Sequence, residues 1–331
     1  MRFLITGGAG FIGSHLAEAL LRSQHEVLVL DNFSTGRQQN VAHLEGQKGF
    51  ELICADVTDE QITTDCVRSV DRVFHLASAV GVQLIIREPV KTIETIVNGA
   101  DSVFRACARY RKPVLITSTS EVYGKSPKVP FSESDDLLIG PPTFRRWSYA
   151  TAKALDEFLA LAHWHHSRLP VVITRLFNTV GPRQSGQYGM VVPRFVRQAL
   201  LGRPITVFGD GSQTRCFCHV GDVVDALVRL LDLPAAYGEV FNVGADREVS
   251  IGELAAMVRA MTGSRSEIVR VPYEEAYGAG FEDMERRLPD LAKLRRWIGY
   301  EPRLSLEQTL EDIIRHIRRE LDSDPEVASA E

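Results

Sequence analysis

Two hydrophobic rhythms alternate through the first half of the chain. Short apolar runs, rich in valine, isoleucine and leucine, predict strands over 2–6, 26–31, 50–54, 71–76, 113–118 and 170–176. Between them, apolar residues recur three and four apart and predict helices over 13–23, 59–69, 89–110 and 147–167. The runs are near-continuous rather than alternating, as in strands covered on both faces. Strands alternating with helices over short connections imply an α/β fold, a doubly wound parallel sheet of the Rossmann type. Val73-Phe74-His75-Leu76-Ala77-Ser78 and Val114-Leu115-Ile116-Thr117-Ser118-Thr119 read as buried strands that end in small polar residues. Ligands of such sheets sit outside the carboxyl ends of the strands. That places Ala77, Ser78, Thr117, Thr119 and Glu121 around one crevice.

The pattern changes after about residue 178, where glycine, proline and arginine become frequent, as in Gly181-Pro182-Arg183 and Gly202-Arg203-Pro204. A second, smaller lobe of mixed α/β character is expected here, interrupted by a helix at 221–233 that returns to the first. Residues 1–178, with about 217–245, are assigned to a dinucleotide-binding domain, and 179–216 with 246–331 to a substrate lobe. The polar stretch 322–326 is expected to fray.

Composition narrows the partners. The 331 residues are 44% apolar and 24% charged, with a net charge of -5, which gives no reason to expect nucleic acid or an anionic membrane. No apolar stretch approaches the roughly 20 residues of a membrane helix, and the chain enters a strand at once, so neither span nor signal peptide is expected. Five scattered cysteines suit a reducing cytoplasm. Cys216 and Cys218 would share one face of a strand, but no second Cys/His pair completes a metal site, so burial is expected and no metal. His163, His165 and His166 diverge on a helix end and cannot converge on one ion.

Two motifs carry chemistry. Gly7-Gly8-Ala9-Gly10-Phe11-Ile12-Gly13 lies between the first strand and the first helix. Glycines there let backbone N–H groups and a helix N-terminus meet a pyrophosphate. The second apolar run ends at Asp31, where a carboxylate can accept ribose hydroxyls and repel a 2′-phosphate, so NAD is favoured over NADP. A glycine turn that merely packs helix on strand is the plainer reading, and the whole strand–turn–helix–strand–Asp order weighs against it. In Tyr149-Ala150-Thr151-Ala152-Lys153 the tyrosine and lysine fall on one helical face. An ammonium there, like a positive nicotinamide, would favour the tyrosinate, which can take a proton from a sugar or alcohol hydroxyl while hydride leaves the carbon.

These motifs, with Asp31-Asn32-Phe33-Ser34-Thr35-Gly36, Asp56-Val57, His75-Leu76-Ala77-Ser78, Ser118-Thr119-Ser120-Glu121-Val122-Tyr123-Gly124, Arg175-Leu176-Phe177-Asn178-Thr179-Val180-Gly181-Pro182-Arg183 and Gly211-Ser212-Gln213-Thr214-Arg215, resemble the extended short-chain dehydrogenases/reductases. Within them the chain looks like a nucleotide-sugar epimerase, dehydratase or decarboxylase. The resemblance implies bound NAD held by Gly7, Gly10, Phe11, Ile12, Gly13, Asp31, Asn32, Ser34 and Thr35. It adds Asp56, Val57, Leu76, Ala77, Ser78, Asn98, Thr117, Tyr149 and Lys153. A UDP-sugar would meet Asn178, Val192, Thr206, Val207, Phe208, Arg215 and Arg287, with Arg286 the alternative to Arg287. A homodimer built on helices near 90–110 and 150–165 is also implied.

Residues 119–121 discriminate between branches. Dehydratases of this family resemble Thr-Asp-Glu there, and Ser120 in place of the aspartate speaks against water elimination. Sugar 4-epimerases usually lack an acid at position 121. Thr119-Ser120-Glu121, Gly140-Pro141 and Arg146-Trp147-Ser148-Tyr149 resemble the UDP-glucuronate decarboxylases. That implies Tyr149, lowered in pKa by Lys153, as base at the sugar 4-hydroxyl. The 4-keto acid then loses carbon dioxide, with Thr119, Ser120 and Glu121 at the ring. The alternatives are UDP-sugar 4-epimerisation and, from another class, a non-catalytic NAD-binding regulator, against which Tyr149, Lys153 and Thr119 weigh. Glu121 could instead cap a local turn.

Overall fold

The computed structural model describes residues 1–78, 88–186, 189–277 and 284–323. Strands β1 (Arg2–Thr6), β2 (Glu26–Asp31), β3 (Phe50–Cys54), β4 (Arg72–His75), β5 (Val114–Thr119) and β6 (Val171–Leu176) alternate with helices α1 (Phe11–Arg22), α2 (Glu60–Arg68), α3 (Pro89–Tyr110) and α4 (Trp147–Ser167). These six strands and four helices match the expected spans within a residue or two. Further along come β7 (Thr179–Val180), α5 (Val191–Leu200), β8 (Ile205–Phe208), β9 (Thr214–Cys216), β10 (Cys218–His219), α6 (Val220–Leu231) and β11 (Glu239–Val243). The last group is β12 (Glu248–Ser250), α7 (Ile251–Thr262), β13 (Ile268–Val271), α8 (Tyr273–Tyr277), β14 (Arg286–Arg287), α9 (Ala292–Ile298) and α10 (Leu306–Ser323).

The main sheet has seven strands in the order β11-β6-β5-β4-β1-β2-β3, and every pairing in it is parallel. The order reverses direction beside β1, so a crevice opens where the chain leaves β1 and β4 for opposite sides. The strands are buried on both faces. Phe3, Ile5, Val27 and Val29 pack toward α1 and α6 on one side. Leu4, Leu28, Val73 and Ile116 pack toward α2, α3 and α4 on the other. A separate hydrophobic cluster joins α5, β8, α7 and α10 through Phe195, Val207, Leu254 and Leu310.

Local chemistry fixes the element ends. Asp59 accepts from the Ile62 N–H at the start of α2, and Ser250 with Glu253 forms a capping box at the start of α7. α7 ends on Gly263, whose φ of 66° lies in the left-handed region. α1 differs: its N-cap, Gly10, offers no side-chain cap, so its first N–H groups stay available.

Three departures from expectation stand out. β11 was not among the expected strands, although it completes the sheet beside β6. Cys216 and Cys218 do not share one strand. Phe217 separates β9, which pairs with β12, from β10, which pairs with β7. Both cysteines are buried, and no metal-holding cluster occurs among the described residues. The third concerns the terminal stretch: Asp322 and Ser323 are helical, and 324–326 lie outside the described residues. Among the described residues, no helix is long and apolar enough to cross a membrane.

One long-range clamp bears on the site. Phe131 donates its N–H to the Leu288 carbonyl at 2.8 Å and accepts from the Asp290 N–H at 2.8 Å. Asn242, at the end of β11, is fully buried. It donates to the Phe131 carbonyl and accepts from the Tyr123 hydroxyl at 2.7 Å. The segment leading out of β14 is thereby tied to the turn that follows β5.

Candidate active site

The glycine turn is forced by packing. Gly7 has φ +72°, and a Cβ on Gly13 would lie 2.3 Å from the Gly7 carbonyl oxygen. The close approach brings Gly10, Phe11, Ile12 and Gly13 to the crevice wall with the uncapped N-terminus of α1. Such an end favours anions through its dipole and its open N–H groups. Asp31 stands at the end of β2, buried in the same crevice. Its carboxylate accepts from the backbone N–H of Ala9 at 2.9 Å and of Phe33 at 2.8 Å, and burial raises its pKa. Asn32, Ser34, Thr35 and Val57 continue this wall. Arg37 also lines the crevice and donates to the Ser185 hydroxyl at 3.0 Å. An open helix end and a strand-end carboxylate in one crevice are the donor set that a dinucleotide's pyrophosphate and adenosine ribose require.

Leu76, Ala77 and Ser78 leave β4, and Thr117, Thr119, Ser120 and Glu121 leave β5, at the middle of the crevice. Tyr149 enters from the first turn of α4, with the Thr119 hydroxyl in hydrogen-bonding reach of its phenol. The Thr119 hydroxyl also accepts from the Glu121 N–H at 3.2 Å and opens the turn. The turn is thus capped by Thr119, not by the Glu121 carboxylate. That carboxylate accepts from Arg287 Nη2 at 3.2 Å, with both side chains mostly buried.

The expected lowering of Tyr149 by Lys153 is corrected by the structure. Burial, and after it the Glu121 carboxylate, pushes the phenol well above its usual range. Lys153, one helical turn beyond Tyr149, is buried and does not line the crevice, and its ammonium pairs with Asp156 Oδ2 at 2.9 Å. The Asp156 carboxylate acts on Tyr149 in the opposite sense to that ammonium.

Toward its other end, Asn178, Val192, Phe208, Arg215 and Arg287 line the crevice. Arg286 does not: it is exposed and pairs with Glu248. Besides Lys153, four expected contacts are not brought to the walls. Asn98 is exposed on α3, where Thr95, one turn earlier, lines the crevice. Thr206 accepts from Arg194 and Gln198, and Val207 is buried against α5 and α7. In strand β8 successive residues point to opposite faces, so Phe208 faces the crevice and Val207 the core. Asp56 instead accepts from the Asn32 amide at 2.7 Å and steadies that wall. Sequence reasoning missed Arg146, Arg194 and Gln213, which also line the crevice. Arg146 lies three residues before Tyr149, one helical turn away, and that spacing was readable.

The chain belongs to a family of nucleotide-sugar enzymes: residues 4–313 match the one described as GDP-mannose 4,6 dehydratase. It is 43% identical to the UDP-N-acetyl-alpha-D-glucosaminuronate decarboxylase of Bacillus cytotoxicus, over 98% of this chain and 99% of that one. It is 37% identical to UDP-glucuronic acid decarboxylase 1 of Danio rerio, over 97% of this chain and 73% of that one. Among solved structures it resembles the UDP-glucuronic acid 4-epimerase of Bacillus cereus in complex with UDP-glucuronic acid and NAD. The TM-score is 0.86 at 28% identity, covering 96% of this chain and 99% of that one.

His75, in β4 under the site, yields a pH dependence. Its Nδ1 lies 2.8 Å from the Thr6 hydroxyl, and burial, then the Lys153 cation, push the imidazole down to about 3. The unfolded chain takes up this proton below about 6.5, whereas the fold resists it until about 3. Stability should therefore fall as pH drops through that window, by about 1.4 kcal/mol per pH unit for one proton. Denaturant unfolding of wild type and His75→Asn at several pH values tests this. The variant should lose this part of the slope, and an equal slope in both proteins would exclude His75 as its source.

Proposed function

We propose that the protein is an NAD-dependent UDP-hexuronate decarboxylase that acts on UDP-glucuronate through a 4-keto intermediate. The observation that carries this reading is the Glu121–Arg287 pair beside Tyr149. An acid and a guanidinium in the sugar crevice suit a substrate with a carboxylate of its own. The decarboxylase names of the relatives at 43% and 37% identity support it.

Gly10 to Gly13 and Asp31 would hold the NAD, which when bound takes the hydrogen at C4 as hydride and can give it back. Tyr149 takes the proton of the 4-hydroxyl, helped by the Thr119 hydroxyl. The C4 ketone turns the uronate into a β-keto acid. Arg287 and Arg146 orient its carboxylate so that the breaking C5–C6 bond overlaps the ketone. Carbon dioxide leaves, and its bonding electron pair forms the enolate across C5 and C4. Glu121, hydrogen-bonded to Arg287, manages the proton that C5 then receives. Arg215 and Asn178 hold the diphosphate and ribose, and Val192 and Phe208 pack against the base.

The chain also exposes Val90 and Ile93 on α3, and Leu155 and Phe158 on α4. These helices pack side by side, and each apolar pair is spaced to share one helical face. A second copy of the chain covers them in the proposed homodimer. In light scattering, wild type should be a dimer and Phe158→Glu largely monomeric; a monomeric wild type would refute the assignment.

The reaction is tested by incubation with UDP-glucuronate and NAD, and in parallel with the 2-acetamido analogue, following carbon dioxide and pentose by mass and NMR. Carbon dioxide and a UDP-pentose, or its 4-keto form, are expected. Glu121→Gln should slow carbon dioxide release far more than the single-turnover rise in NADH absorbance. Interconversion of UDP-glucuronate and UDP-galacturonate without pentose would replace this reading with 4-epimerisation, the reaction named for the Bacillus cereus neighbour.

A further inference from the structure

One helical turn beyond Tyr149 lies a layer of buried charge that the reaction as described does not use. Asp156 is one helical turn beyond Lys153 on α4, and both side chains are nearly inaccessible, at 1% and 3%. Asp156 Oδ2 accepts from Lys153 Nζ at 2.9 Å, while Oδ1 is buried with no hydrogen-bond partner among the described residues. The neighbouring Glu157 is committed elsewhere. It takes both Nε and Nη2 of Arg175, at 2.7 to 3.1 Å, and a hydrogen bond from Ser118. Lys153 is thus balanced by Asp156, not by Glu157.

We propose that Asp156 is a positioning residue that fixes the Lys153 ammonium and offsets its charge, so that Tyr149 keeps its proton until the oxidised nicotinamide ring brings positive charge beside it. The inference rests on reading Tyr149 as the base. A buried lysine without a partner would be strongly penalised, so the aspartate stabilises the cation while opposing its effect on Tyr149. The groups facing this layer can be named. Glu121, Thr119 and Ser78 approach Tyr149 from the strand ends, and His75 of β4 feels Lys153. Arg175 of β6 faces Glu157, and α3 contributes apolar Ile96 and Val97. Of these, the Asp156 carboxylate raises the Tyr149 proton affinity along with burial and Glu121.

The sign follows. Removing the Asp156 charge while keeping a hydrogen-bonding side chain leaves the Lys153 ammonium uncompensated, and the Tyr149 proton should be released more easily. The test is an ultraviolet titration of tyrosinate in protein loaded with NAD and no sugar. The Tyr149 contribution is isolated by subtracting the matching Tyr149→Phe protein. Asp156→Asn should lower the Tyr149 midpoint by about one pH unit, roughly tenfold in proton affinity, and Asp156→Glu should restore the wild-type value. The acid limb of the turnover profile should move to lower pH by the same amount. If Asp156→Asn does not fold, Asp156→Ser serves the same comparison. A midpoint that is unchanged, or that rises, overturns the proposal. The titration needs no turnover, so it stands even if UDP-glucuronate proves not to be the substrate.

Discussion

The ion pair between Glu121 and Arg287 is the interaction on which the architecture of the site depends. Its members lie far apart in sequence: Glu121 follows β5 in the main sheet, and Arg287 belongs to β14, which pairs with β9. Each is held by backbone before it is held by the other. Glu121 sits in a turn opened by Thr119, and the segment beyond Arg287 is clamped to Phe131 and Asn242. Two mostly buried charges attract strongly, and removing one leaves the other without compensation. The pair therefore places an acid and a cation in the same crevice as Tyr149.

The rest of the site follows from sheet topology. Parallel strands deliver their carboxyl ends to one edge, and there β1, β2, β4 and β5 present a glycine turn, an acid and a row of small hydroxyl residues. The charges needed for chemistry are stacked in depth. Glu121 and Arg287 face the crevice, while the pairs Lys153–Asp156 and Arg175–Glu157 are buried behind its wall. Each of these three cations has its own carboxylate, so Tyr149 is influenced by paired charges rather than by a lone one.

Much of this was legible in the sequence because its signals are local. The apolar runs of β1 to β6 and the periodicity of α1 to α4 needed only neighbouring residues, as did the glycine turn and the Tyr149–Lys153 spacing. What was not legible depends on long-range registration. β11 lies in the half of the chain where the strand–helix alternation breaks down, and its pairing with β6 is invisible without the fold. Val207 lies on the core face of β8, and the sequence alone does not say which strand face meets the crevice. Thr206 shares the face of Phe208, but its hydroxyl is taken by Arg194 and Gln198, partners brought to it by the fold. On α3 it is Thr95, one turn before the exposed Asn98, that lines the crevice. The expected effect of Lys153 on Tyr149 failed because Asp156 follows one turn later and takes the ammonium. Arg287, by contrast, was separated from Arg286 only by β14, which turns one inward and the other to Glu248.

The central claim is that Glu121 and Arg287 act as one unit in carbon dioxide release. A double-mutant cycle on the rate of that release, with Glu121→Gln, Arg287→Gln and the pair together, tests it most directly. If they act as a unit, each single change should slow release by about two to three orders of magnitude, as for other electrostatic catalytic groups. The double variant should then be no worse than the poorer single. Losses that multiply in the double variant would show two independent contributions and would contradict the account.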